Sequence, residues 1–199
     1  RWVRVHPYAN FAYVIDGTTG SECIRVYGIN STTGSLTASS QYNLATAGTP
    51  EQLAIHPNGN FLYSTDRTAS KFRKFDLDAV TGVLSGEVVF SGLPFGPEHV
   101  VISPSGKYLY VAGQSSTTIR LYNINQTTGA LTFVIDYTAT NNVSDMVIDT
   151  SENFIVVSNF GSNLYQVFRV SPIDGTLTSI ANGSTGGSGA NTIAITGSN

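Results

Sequence analysis

Short runs of alternating apolar and polar residues, separated by Gly, Asn, Ser and Pro, follow one another along the whole chain. Alternation with period two predicts half-buried β-strands, because successive side chains point to opposite faces of a sheet. One set of runs is short and ends near a Pro: residues 3–6, 52–56, 99–103 and 145–149. A second is aromatic: residues 11–15, 61–65, 108–112 and 154–158. A third covers residues 24–29, 72–77, 119–124 and 165–170, and a fourth opens at Leu36, Leu84, Leu131 and Leu177. Polar turns such as Asn58-Gly59-Asn60 and Ser105-Gly106-Lys107 supply the positive φ that tight hairpins require. No stretch carries a 3.6-residue apolar period, so almost no helix is predicted.

The runs repeat as a unit of about 47 residues. Pro7, Pro57 and Pro104 fall in register, with Thr150 and Gly197 as degenerate successors. Tyr13, Tyr63, Tyr110 and Val156 follow these turns at a fixed distance. Gly34, Gly82, Gly129 and Gly175 mark a second turn, preceded by Tyr27, Phe75, Tyr122 and Phe168. Four strands per unit make a sheet with two apolar faces, which must be sandwiched between neighbours, as radial stacking provides. The prediction is an all-β chain, a single β-propeller over residues 1–199 with four-stranded antiparallel blades at about 1–46, 47–94, 95–141 and 142–189. Residues 190–199 contain the first strand of a further blade. Neither terminus completes the blade begun by the other, so the chain reads as part of a longer array or as one that a second copy completes.

Composition narrows the partners. Charged residues make up 12% of the 199 and the net charge is −3, with no Lys/Arg run. Nucleic acid is excluded as an expected partner. No apolar stretch is long enough for a membrane-spanning helix. Low charge with abundant Ser, Thr, Asn and Gly suggests an extracytoplasmic protein, periplasmic or secreted. Asn-X-Ser/Thr sequons at Asn30, Asn125, Asn142 and Asn182 occur at about the frequency such a composition gives by chance. The single Cys23 allows no intrachain disulfide and sits at a strand start, where a buried inert thiol is expected.

The run Pro97-Glu98-His99-Val100-Val101-Ile102-Ser103-Pro104-Ser105-Gly106-Lys107-Tyr108-Leu109-Tyr110-Val111 resembles the seven-bladed lactonase-type propellers. So do Thr33-Gly34-Ser35-Leu36-Thr37 and Asn125-Gln126-Thr127-Thr128-Gly129-Ala130-Leu131-Thr132. That family includes 6-phosphogluconolactonase and carboxymuconate cyclases, and the resemblance implies a seven-bladed ring of which about four blades and one strand are present. It implies a His-X-His element where this chain has Glu98-His99. The family's Asp-Leu-Gly-X-Asp-Arg-like turn is replaced by Ala112-Gly113-Gln114-Ser115-Ser116, and Asp66-Arg67-Thr68-Ala69-Ser70-Lys71 is a partial match.

In a propeller the loops before the first strand and after the second share one rim. Glu51, Glu98, His99, Asp66, Arg67 and Lys71 belong to those loops, with Asp16, Glu22 and Asp145. Glu98 and His99 are the candidate catalytic residues: a carboxylate for acid–base work and an imidazole as base. Glu51, Asp66, Arg67 and Lys71 are the candidate ligand-binding residues, with an anionic ligand at Arg67 and Lys71 set against a solvated edge. His6 and His56 precede turn prolines and are expected to bond across those turns. No metal-ligand spacing, phosphate-cradling loop or nucleophile elbow appears, so no metal and no cofactor is expected. The leading expectation is a binding or scaffold propeller that holds a protein or carbohydrate partner on its rim. A lactone hydrolase is the alternative, and a structural repeat of a surface assembly the third reading.

Overall fold

The computed structural model describes residues 2–17, 22–45, 48, 50–113, 115–159, 162–187 and 192–194. Every regular element among them is a β-strand, and the strands form four antiparallel sheets of four. The chain divides into two compact units, residues 1–94 and 95–199. In the first unit, β1 (Val3–Val5), β2 (Phe11–Asp16), β3 (Cys23–Ile29) and β4 (Leu36–Asn43) make one sheet. The second sheet is β5 (Pro50–Ile55), β6 (Phe61–Asp66), β7 (Lys71–Leu77) and β8 (Leu84–Phe90). The other unit holds β9 (His99–Ile102), β10 (Tyr108–Ala112), β11 (Thr118–Ile124) and β12 (Leu131–Thr138). Its second sheet is β13 (Val143–Ile148), β14 (Phe154–Asn159), β15 (Leu164–Val170) and β16 (Leu177–Ser184). Each sheet runs in chain order through hairpins, the blade unit of a β-propeller, so the all-β class expected from the pattern is the class observed. Residues 192–194 belong to no strand, and the rest of the predicted strand around them lies outside the described residues.

One device shapes the first hairpin of every sheet. The residue before the turn accepts hydrogen bonds from backbone N–H groups beyond it. His6 Nδ1 accepts from Tyr8 and Ala9 at 3.1 and 3.0 Å, which leaves Nε2 to donate to the Gly59 carbonyl at 2.9 Å. His56 Nδ1 accepts from Asn58 at 3.2 Å. Ser103 Oγ accepts from Tyr108 at 3.1 Å, and Asp149 Oδ1 from Asn153 and Phe154 at 2.8 and 2.6 Å. Three different side chains thus do one job, that of an Asx- or ST-type turn.

The core of each unit is the space between its two sheets. In the first, Tyr13, Ile15, Ile24 and Val26 meet Leu53, Leu62, Phe75, Leu77 and Leu84. In the second, Tyr110, Ile119 and Leu121 meet Val143, Met146, Ile155, Val157 and Phe168. Burying each Leu, Ile or Phe contributes roughly 1.5–3 kcal/mol. The repeated Tyr adds a polar tie: Tyr110 donates to the Gly175 carbonyl at 2.7 Å, on the turn of the neighbouring sheet. A second tie runs from Ser105, whose N–H and hydroxyl both donate to the Glu152 carboxylate at 2.8 Å.

Candidate active site

The first strand of each sheet begins where the second strand ends, and this corner gathers the predicted site residues of each unit. In the second unit Glu98 N–H donates to the Ala112 carbonyl at 2.9 Å, extending the β9–β10 ladder by one residue. That pins the chain just ahead of His99, which opens β9 opposite Ala112. Gly113 follows because a Cβ there would overlap the backbone of Gly96. Strand β13 packs beside β9. Its start is bulged between Val143 and Asp145, which makes Ser144 the inserted residue and turns Asp145 to face Ser158 of β14.

His99 Nδ1 lies 3.8 Å from Asp145 Oδ1, beyond hydrogen-bond distance. The carboxylate is held by other donors: the N–H of Met146 to Oδ1 at 2.9 Å and that of Ile193 to Oδ2 at 3.2 Å. Its charge favours an imidazolium, but burial disfavours one, and burial wins. The His99 side chain is 12% exposed, and desolvation pushes its pKa down from 6.5 to about 4. At neutral pH it is an uncharged imidazole, and its Nε2 has no hydrogen-bond partner among the described residues. Around Asp145 on β13 and β14, the Ser144 and Ser158 hydroxyls and Asn159 Oδ1 are likewise buried without a partner among the described residues. The Asn159 amide N–H donates to the Asn141 carbonyl at 3.0 Å, which fixes the oxygen's orientation. One Glu98 carboxylate oxygen is also shielded from water.

The corresponding corner of the first unit is built otherwise. Glu51 pairs with Arg67 at 3.3 Å. Asp66 is fully buried and pairs with Arg73 at 2.7 Å, with Lys71 at 4.0 Å. Arg73 is fully buried as well and reaches Glu87 at 2.9 Å, and Glu87 accepts from the Tyr42 hydroxyl at 3.2 Å. The carboxylate of Asp66 occupies the space a Cβ on Gly48 would take. Arg67 is exposed, as a solvated edge requires, whereas Lys71, Arg73 and Lys74 are buried and engaged with carboxylates.

The structure brings Glu98 and His99 together with Asp145 in one unit, and Glu51, Asp66, Arg67 and Lys71 into ion pairs in the other. Ser144, Ser158, Asn159 and Glu87 escaped the sequence reading. The signal for Asn159 was present: Asp16, Asp66, Gly113 and Asn159 hold the same place at the end of the second strand of each repeat. Gln114 lies outside the described residues, and beside it Ser116 Oγ accepts from the Thr118 N–H at 3.0 Å. Among the described residues no helix is long and apolar enough to cross a membrane.

Comparison with known proteins adds a family. The model described as "Lactonase, 7-bladed beta-propeller" matches residues 1–141 and 134–199. No curated protein sequence matches the chain. A putative 6-phosphogluconolactonase of Bacteroides fragilis superposes with a TM-score of 0.81 at 22% identity, over 92% of this chain and 54% of that one. A protein from Lactobacillus plantarum gives 0.76 at 28% identity, over 90% and 55%. The periplasmic gluconolactonase of Pseudomonas aeruginosa gives 0.79 at 19% identity, over 94% and 54%. The chain spans about half the length of these relatives.

Proposed function

Because the chain belongs to the seven-bladed lactonase β-propeller family, we propose that the protein hydrolyses a lactone at the corner formed by β9, β13 and β14. The observation that carries this reading is the shielded imidazole of His99, whose Nδ1 lies 3.8 Å from the Asp145 carboxylate and whose Nε2 has no partner among the described residues. Nε2 takes a proton from water as the water oxygen attacks the lactone carbonyl carbon. The carbonyl π electrons move to oxygen and form a tetrahedral oxyanion. When the oxyanion collapses, the ring C–O bond breaks, and the imidazolium returns its proton to the departing alkoxide. The open product is a hydroxy acid. Asp145 stabilises the transient imidazolium, since a carboxylate within about 4 Å favours the charged form. The oxyanion is assigned to the Ser144 and Ser158 hydroxyls, which adjoin and face Asp145 and have no partner among the described residues.

This reading takes precedence over a rim scaffold. The groups expected to hold a partner, Glu51 with Arg67 and Asp66 with Lys71, are committed to each other.

The test is lactone hydrolysis by the protein at its natural length, followed by pH-stat titration. His99→Ala should lower kcat/KM by roughly 10²–10⁴, the usual contribution of a general base. The acid limb of the wild-type profile should fall near pH 4 rather than 6.5, because the folded imidazole stays neutral down to that pH. Wild-type turnover by His99→Ala would overturn the assignment.

A further inference from the structure

A cleft of about 220 Å³ lies in the second unit between the β9–β10 turn and the β13–β14 turn, at the strand ends opposite His99. In the first unit the matching interval is spanned by the His6 imidazole, which reaches the Gly59 carbonyl of the neighbouring turn at 2.9 Å. In the second unit Ser103 stands in the place of His6, and its hydroxyl bonds within its own hairpin, to Ser105 Oγ and the Tyr108 N–H. The tie across is made instead by Glu152, whose carboxylate accepts the N–H and the hydroxyl of Ser105 at 2.8 Å each.

Two residues lining this cleft depart from the repeat. Gly59 and Gly106 hold one place in two other copies, with φ of +78° and +74°, and Glu152 holds it here with φ of +60°. A charged side chain at a left-handed position is strained, and strain of this kind collects at functional sites. Lys107 stands where the other copies have Asn10, Asn60 and Asn153. It is exposed and forms no ion pair with any described residue, although Glu152 lines the same cleft. The other donors of the cleft are spent. The Ser105 hydroxyl donates to Glu152, that of Ser151 to Asp149, the Asn153 amide N–H to Ser151 at 3.0 Å, and the Tyr108 hydroxyl to the Ile173 carbonyl at 3.1 Å. Acceptor capacity remains on the Glu152 carboxylate, on Tyr108 Oη and on Asn153 Oδ1. Burial, and then the nearby Glu152 and Asp174 carboxylates, raise the Tyr108 pKa, so this side of the cleft is negative. Three acceptors with negative charge suit an ammonium group, whereas the Lys107 ammonium suits a carboxylate. A plain amine would face Lys107 and a plain carboxylate would face Glu152. A ligand with both charges satisfies both walls. Size keeps it small, because the cleft falls below the roughly 300–1,000 Å³ of drug-sized sites.

We propose that this cleft binds a small zwitterion, a free α-amino acid, separately from the lactone site. Its ammonium group sits among the oxygens of Glu152, Tyr108 and Asn153, and its carboxylate meets Lys107.

The experiment is saturation-transfer NMR at low ionic strength on the protein at its natural length, with three probes of similar size: L-alanine, propionate and ethylamine. Propionate lacks the ammonium group and ethylamine the carboxylate. L-Alanine should bind saturably and at least about 10-fold more tightly than either, the usual worth of one hydrogen bond to a charged group. Lys107→Met and Glu152→Gly should each weaken it about 5-fold or more. Both variants should fold, since Lys107 is exposed and two other copies carry Gly at the place of Glu152. Propionate binding as tightly as L-alanine would make this a site for plain anions, and ethylamine doing so a site for plain cations; either result overturns the proposal. A lack of saturable L-alanine binding, or binding unchanged in both variants, would overturn it as well.

Discussion

Arg73 illustrates how far a single side chain can depart from its usual setting. A guanidinium with no exposed surface survives only when its charge is matched, and here Asp66 and Glu87 flank it at 2.7 and 2.9 Å. Breaking a buried pair costs about 3–5 kcal/mol, because the remaining charge is left without compensation. Arg73→Leu leaves two buried carboxylates facing each other, so urea denaturation should show a loss of that order. Arg73→Leu combined with Asp66→Leu and Glu87→Met should recover most of it, since an apolar core of similar volume is often as stable. A single variant within 0.5 kcal/mol of wild type would show that the network is not a structural one. The sequence revealed the cations at Lys71, Arg73 and Lys74 but not their burial. Period-two alternation places Arg73 on a face, and only the partners at Asp66 and Glu87, seven residues before and fourteen after, make that face an interior one. His99 was legible as a site candidate because it falls on the rim, next to the place where the resembled family carries a His-X-His element. Its neutral state was not legible, because desolvation depends on strands distant in sequence.

At the scale of elements, the repeat reading captured the strands and missed an irregularity that all four sheets share. The register between the third and fourth strands shifts at Val26/Tyr27, Lys74/Asp76, Leu121/Tyr122 and Val167/Phe168. The extra residues stand on the outer strand: Ser39, Val134, Ile180, and the pair Gly86-Glu87. A bulge adds twist. It leaves little trace in the sequence, because the inserted residues share no chemistry. The sheet containing β8 is the exception. Gly86 has a φ of +59°, and a Cβ there would overlap the Asp76 carboxylate. The same irregularity delivers Glu87 to Arg73. Gly86→Val should therefore cost about 1–3 kcal/mol through left-handed backbone strain alone. Ser39→Ala, at an exposed bulge in another sheet, should change stability by less than about 0.5 kcal/mol. Thermal unfolding of the two variants checks the contrast, and equal effects would mean that bulge position rather than backbone conformation sets the cost.

Across the molecule, the 47-residue period made the fold legible because a stacked repeat must bury the same positions in each copy. Tyr13, Tyr63 and Tyr110 are all fully buried, as the register requires. The candidate site was legible only in part, because its corner is where the copies differ: Gly113 against Asp66, and Asn159 against Asp16. That same repeat logic governs energetics. The cluster around Leu62 and the one around Ile155 share no residue and belong to different compact units. Leu62→Ala should cost about 2–5 kcal/mol and Ile155→Val about 0.5–1.5. Their combination should be additive to within about 0.5 kcal/mol. Leu62 and Phe75 behave otherwise, since they face each other across the β6–β7 ladder in one cluster. Leu62→Ala with Phe75→Leu should show a coupling of about 0.5–3 kcal/mol, because the first truncation leaves space into which the second residue can relax. Denaturant titrations of the two double-mutant cycles measure both terms. Strong coupling in the first cycle would mean that the two clusters act as one cooperative core, and that stability does not divide along the repeat as nearest-neighbour stacking requires.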